Sequence, residues 1–214
     1  MEKLCASRIV EGGEIEMKKL DSNLIRERFL NTLLEIADQV KKNSDSIDVS
    51  QVLKLIDMMI EVKSNNRRIF IYGAGRSGFI GRCFAQRLMH LGIKSCFVSD
   101  AVTYRYNKED LLILISGGGE TTSPKAIAEE AKEIGGTIAL FTGNPKSSIG
   151  KLSDLTIKVE GKSKENAILK ESLAPFTSLF DISTLSILDS IGSSLMALLG
   201  ITEKDISERH ASIE

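Results

Sequence analysis

The sequence predicts a single α/β domain: a five-stranded, doubly wound parallel sheet in three α-β-α layers, with helices ahead of the first strand. Two observations predict it. After Arg68 the chain falls into five short apolar runs, at 69–72, 96–98, 111–115, 138–141 and 155–159, and helically spaced apolar residues occupy intervals between them. Unbroken apolar runs suit strands buried on both faces. Parallel neighbours need crossover connections, so alternating strands and helices specify a parallel sheet covered on both sides. A chain of 214 residues with 42% hydrophobic residues is long enough to bury one substantial core.

Residues 1–16 carry Gly12-Gly13 and no periodicity, and are expected to form a poorly ordered extension or an edge strand, with Met17 an alternative start. Residues 17–214 are then the single domain. From Ser22 to about Lys42, Leu24, Ile25, Phe29, Leu33, Leu34, Ile36, Ala37 and Val40 recur at the spacing of one buried helical stripe. A second helix starts behind the cap Asp48 and runs through Leu53, Ile56, Met59 and Val62. Between the first two strands, Phe79, Ile80, Cys83, Phe84, Leu88 and Leu91 have helical spacing; Ile127, Ala128, Ala131 and Ile134 do so between the third and fourth. A long helix at 177–199 is apolar on more than one face, as a helix packed on both the sheet and a subunit interface requires, and a short helix from Glu203 closes the chain.

Composition narrows the function. Lysine plus arginine (28) nearly equals aspartate plus glutamate (29), so no general field attracts nucleic acid or an anionic membrane, and any anion site must be local. No stretch approaches the roughly 20 apolar residues of a membrane span, and the N-terminus has no signal-peptide core, which places the protein in the cytoplasm. Cys5, Cys83 and Cys96 lack metal or redox spacing and read as reduced thiols, with Cys83 and Cys96 as small buried hydrophobes.

The loops leaving the first and third strands carry the chemistry, because ligands of open parallel sheets bind beyond the carboxyl ends of strands near a switch in strand order. The first reads Gly73-Ala74-Gly75-Arg76-Ser77-Gly78; the second reads Ser116-Gly117-Gly118-Gly119-Glu120-Thr121-Thr122-Ser123. Glycines bring backbone N–H groups close to a ligand, and the following helix adds unpaired donors and a positive dipole end, a combination suited to phosphate. The hydroxyls of Ser77, Ser116, Thr121 and Thr122 add donors and Arg76 adds charge. Alternatively, Ser116 and Thr121 only cap the next helix. A competing pattern is present too: Gly73, Gly75 and Gly78 fit the dinucleotide fingerprint, with Asp100 placed 22 residues later. A second glycine- and hydroxyl-rich loop has no purpose in a dinucleotide site, and little chain remains for a substrate domain.

With both loops in view, the chain from about Ile69 to the C-terminus resembles the sugar isomerase (SIS) family, and within it the 6-phospho-3-hexuloisomerases. The resemblance rests on Gly-Ala-Gly-Arg-Ser-Gly at 73–78, Arg-Leu-Met-His-Leu-Gly at 87–92, Asn-Pro-Lys-Ser-Ser-Ile-Gly-Lys at 144–151, Ser-Leu-Phe at 178–180 and Arg-His-Ala at 209–211. It implies a flavodoxin-like strand order and isomerisation of 3-hexulose 6-phosphate to fructose 6-phosphate through an enediol, with no metal or redox cofactor. It implies a sugar phosphate held by Gly75, Arg76, Ser77, Ser116, Gly117, Gly118, Gly119, Glu120 and Thr121, with Asp181 as the base and His90 and His210 in catalysis. It also implies a homotetramer, or a homodimer, with shared active sites in which the C-terminal tail docks near a neighbour's site. Helical spacing alone makes His90 an ordinary surface or interface residue. The chain departs from the family at Gly118, usually serine, at Asp181, usually glutamate, and at Ser99-Asp100 and Thr103-Tyr104 after the second strand. A sugar-phosphate-binding regulator and an isomerase of another sugar phosphate remain open alternatives.

Overall fold

Side chains alternate across the central strands, and that alternation divides the core in two. The computed structural model describes residues 21–161 and 172–213. The element order is α1 (Ser22–Ser46), α2 (Val49–Ser64), β1 (Ile69–Gly73), α3 (Gly75–His90), β2 (Ser95–Phe97), β3 (Leu111–Ile115), α4 (Thr122–Ile134), β4 (Thr137–Thr142), α5 (Ser148–Leu152), β5 (Leu155–Lys158), α6 (Ser178–Leu198) and α7 (Glu203–Arg209). The strands form one sheet in the order β2-β1-β3-β4-β5, all neighbours parallel. On one face Ile69, Ile71, Leu111, Ile113, Ile115, Ala139 and Phe141 meet Leu55 and Met59 of α2, Phe84 and Leu88 of α3, and Leu188 and Leu195 of α6. On the other, Phe70, Leu112, Leu114, Ile138 and Leu140 meet Ala128 and Ala131 of α4 and Ile149 of α5. Each such side chain contributes about 1.5–3 kcal/mol by leaving water. The predicted three-layer, doubly wound sheet is the one observed, whereas the expectation for residues 1–16 lies outside the described residues.

Three expectations need correction. The apolar stripe of α1 is not buried: Leu24, Ile25, Phe29, Leu33 and Leu34 are 42–65% exposed, and Asn43 is the buried residue of the helix. α1 packs on α6 and bonds the segment between β5 and α6, so one edge is covered and the stripe stays exposed. Cys83 is exposed and Cys96 half-buried. Phe79 is exposed as well, because α3 turns Gly78, Gly81, Phe84, Ala85 and Leu88 inward instead. One element carries no sequence signal: α5 follows Ser147, whose hydroxyl accepts from Gly150 N, and five residues are too few to show a period. The Asp48 cap is as expected, its carboxylate accepting from Ser50 N. The all-round apolarity of α6 has an intramolecular explanation, since α1 and α3 both pack on it. Among the described residues no single helix is long and apolar enough to cross a membrane.

Glycine lets α3 close on β1. A Cβ at Gly78 would lie 2.6 Å from Gly73 O, a backbone atom that cannot rotate away. Gly78→Ala is therefore expected to lower stability by about 1–3 kcal/mol, read as a lower urea midpoint at unchanged m-value. An unchanged midpoint would mean that α3 can lift off β1 at no cost.

Candidate functional site

The sheet reverses its strand order at β1, and the pair Gly73↔Ile115 sends the loops after β1 and β3 out side by side. Between them lies a cleft of about 330 Å³. Ala74, Gly75, Arg76 and Ser77 line one side, Ser116, Gly117, Gly118 and Thr121 another, and Phe176, Thr177 and Phe180 a third. Gly75 has φ +56° and Gly119 φ +69°, so both loops need the left-handed conformation that glycine adopts freely.

The second loop sorts its polar groups. Its carbonyls are held from behind: Gly117 O accepts from Gly143 N and Thr142 Oγ1, and Gly119 O accepts from Ile149 N. Its N–H groups are not spent. Among the described residues no hydrogen bond uses the N–H of Gly117, Gly118, Gly119, Glu120 or Thr121, nor of Ala74 in the first loop. Thr121 stands at the N-cap of α4 without a side-chain capping bond, and Ala74 caps α3 with no side-chain donor or acceptor to offer. The capping explanation of Thr121 and Ser116 is thereby set aside. Ser116 lines the cleft at 4% exposure, and its Oγ is buried with no hydrogen-bond partner. A buried hydroxyl without a partner is costly and rare, and here it sits where a ligand acceptor would relieve it.

Asp181 lies just behind the lining, in the first turn of α6, and is completely buried. Its Oδ1 accepts from Ser77 Oγ at 2.9 Å; its Oδ2 accepts from Arg76 Nε at 3.0 Å and Thr177 Oγ1 at 2.7 Å. A buried carboxylate must be paired, and this one is paired by residues of both walls. Arg76 spends its Nε on Asp181 while its side chain stays 60% exposed, leaving the rest of the guanidinium toward solvent. Thr177 has φ +68°, a strained conformation for a β-branched residue. Neither Thr177 nor Phe176 carries a sequence signal, since positive φ at threonine is invisible in sequence, and Phe180, part of the Ser-Leu-Phe motif, gives no sign that it lines the cleft.

The remaining predicted residues are placed elsewhere. Gly119 is behind the lining, where a Cβ would run into the Ser147 side chain. Glu120 turns away to α5, its carboxylate accepting from Ser148 N at 2.8 Å. His90 is buried, not a surface residue, and its ring stacks on that of His210 with centroids 4.0 Å apart. Arg209 completes the docking of the tail by donating to His90 O at 2.8 Å. This pair is at the far end of α3, roughly 20 Å from Arg76 by helix length, so one chain brings the histidines together but not to the cleft. Asp100, the acidic residue of the dinucleotide pattern, instead accepts a fork from Arg82 Nε and Nη2 at 3.1 and 3.0 Å.

Fold and cleft together define an α/β domain with a glycine- and hydroxyl-lined cleft at its topological switch point. The SIS domain family matches residues 64–181. The chain is 42% identical to 3-hexulose-6-phosphate isomerase of Methanocaldococcus jannaschii, over 74% of this chain and 82% of that one. It is 35% identical to the 3-hexulose-6-phosphate isomerase of Bacillus subtilis, over 84% and 96%. A Methanococcus jannaschii crystal structure, for which a molecular function of 3-hexulose-6-phosphate isomerase was inferred, superposes with a TM-score of 0.72 at 38% identity, covering 87% of this chain and 99% of that one. The chain belongs to the SIS family, among its sugar-phosphate isomerases.

The Glu120 carboxyl is held below its ordinary value of 4.5, first by the Ser148 hydroxyl and then by the Ser148 N–H. A carboxylate with a depressed folded-state pKa stabilises fully above its unfolded value and loses that contribution as pH falls through the folded value. Amide exchange at Ser148 is accordingly expected to accelerate as pH drops below about 4.5, beyond the intrinsic trend, and Glu120→Gln should remove that dependence. An identical profile in both proteins would sever Glu120 from α5.

Proposed function

We propose that this chain is a 3-hexulose-6-phosphate isomerase whose cleft between the loops after β1 and β3 holds the substrate phosphate. The observation that carries the reading is the buried, unpartnered Ser116 Oγ beside the unspent N–H groups of the second loop. Phosphate oxygens accept several hydrogen bonds at once, and exposed Arg76 adds positive charge.

The reaction moves a carbonyl from C3 to C2. A base takes the C2 proton, the 2,3-enediol forms as O3 gains a proton, O2 loses one, and C3 is reprotonated. Asp181 is the proposed base. In the free protein its carboxylate holds Ser77 and Arg76, both of which line the cleft. The shuttle for the hydroxyl protons is proposed to be the His90–His210 pair of a second copy, since the pair is about 20 Å from the cleft of its own chain. The outward apolar stripe of α1 supports assembly into a homodimer or homotetramer with shared sites. The burial of Asp181 favours a second reading, a regulator that binds sugar phosphate without turning it over.

Turnover of freshly prepared 3-hexulose 6-phosphate to fructose 6-phosphate decides between them. Asp181→Asn and His210→Ala should each lose at least about 10²-fold in kcat, and mixing the two inactive variants should restore part of the activity if sites are shared. Saturable binding with no wild-type turnover would establish the regulator. Ser116→Ala is expected to raise the melting temperature of the free protein, by removing an unsatisfied buried hydroxyl, while weakening phosphate affinity about tenfold. Lower stability with unchanged affinity would show that the hydroxyl is not a ligand donor.

A further inference from the structure

Helix α1 lies outside residues 64–181 that match the SIS family, yet it grips the wall of the cleft. Arg28, Glu35, Gln39 and Asn43 fall seven, four and four residues apart, which puts them on one stripe of a helix with 3.6 residues per turn. All four bond the chain between β5 and α6. Asn43, 2% exposed, donates to Glu160 O at 2.8 Å and accepts from Glu160 N at 2.7 Å, and Gln39 donates to the same carbonyl at 3.2 Å. At the α6 side, Glu35 Oε2 accepts from Leu173 N at 2.8 Å and Ala174 N at 2.7 Å, while Arg28 Nη2 donates to Leu173 O at 3.1 Å.

The next residues are the wall itself. Ala174 is 3% exposed, and Phe176 and Thr177 line the cleft two and three positions later. Thr177 holds φ +68° and spends its hydroxyl on Asp181, which in turn holds Arg76 and Ser77. A strained backbone conformation persists only where its surroundings over-determine it. The carboxylate of Glu35, fixing two successive amides just ahead of Thr177, supplies that constraint. We infer that Glu35 is a positioning residue of the cleft, setting Thr177 and, through Asp181, the reach of Arg76 and Ser77 toward the bound phosphate. The inference rests on the reading of the cleft as a sugar-phosphate site.

Glu35→Ala, Glu35→Gln and a core control on α2, Ile56→Val, separate positioning from stability. The readouts are calorimetric Kd for fructose 6-phosphate and inorganic phosphate, amide exchange of residues 172–181, and the KM and kcat of the isomerisation. Glu35→Ala should raise Kd and KM about tenfold with kcat changed less than about threefold and should speed exchange across 172–181. Glu35→Gln keeps an acceptor oxygen and should recover most of the affinity, and Ile56→Val should leave Kd and KM alone. Wild-type binding with an unaltered Kd in Glu35→Ala overturns the role of Glu35 and leaves the cleft assignment standing. Wild-type protein that binds neither ligand overturns the cleft assignment, and the positioning role falls with it. Binding without turnover removes the isomerase reading alone, and the Kd series then decides on Glu35.

Discussion

The Asp181 carboxylate is the junction on which the site depends. Buried entirely, it accepts hydrogen bonds from Arg76 and Ser77 at the start of α3 and from Thr177 at the start of α6. A charge so placed is tolerated only with its partners in position, and removing one partner of a buried pair typically costs about 3–5 kcal/mol. The same requirement runs in reverse: the carboxylate fixes where Arg76 and Ser77 stand, hence where an anion can sit. Two helices that enter the cleft from different parts of the sequence are thereby tied to each other at their first turns. Further along, the same two helices are joined by Arg87 Nε donating to Asp189 Oδ1 at 3.2 Å, a partly exposed pair.

Around that junction the sheet supplies direction. Because β1 and β3 are neighbours while β2 lies on the other side of β1, the crossovers leaving β1 and β3 diverge to opposite faces and open a crevice. The glycines then serve two separate ends. Gly73 and Gly78 bring α3 against β1, whereas Gly117 and Gly119 turn their carbonyls back to the end of β4 and to α5, and the amides of 117–119 are left unspent. On the proposed phosphate-binding reading, a loop with this polarity is organised before the anion arrives, so little ordering cost remains to be met on binding.

The fold was legible because strands buried on both faces write themselves as unbroken apolar runs, and the loops because glycine and hydroxyl residues cluster where the strands end. Legibility failed where a residue's meaning depends on a distant partner. Glu120 belongs to the loop motif but its carboxylate is taken by α5, a helix too short to announce itself. His90 sits at helical spacing for an outer face and is buried because α7 returns 119 residues later to cover it. The stripe of α1 has the period of a core helix, and period says only that one face is apolar, not what covers it. Thr177 gave no sign at all, since its left-handed backbone is imposed by tertiary bonds.

Helix α3 carries the asymmetry that follows from all this. Its first turn presents Arg76 and Ser77 to the cleft, and its last residue, His90, stacks on His210 at the opposite edge of the sheet. A helix is a rigid spacer of about 1.5 Å per residue, so no rotamer change or loop motion within one chain can join the two ends. On the proposed isomerase reading, the groups that hold phosphate and those that move hydroxyl protons therefore meet only between copies, with the last turn of one α3 laid against the first turn of another. Docking of the tail by Arg209 and the capping box of Thr202 and Asp205 then acquires a purpose beyond closing the chain: they preform, on each subunit, the half-site that a neighbour lacks.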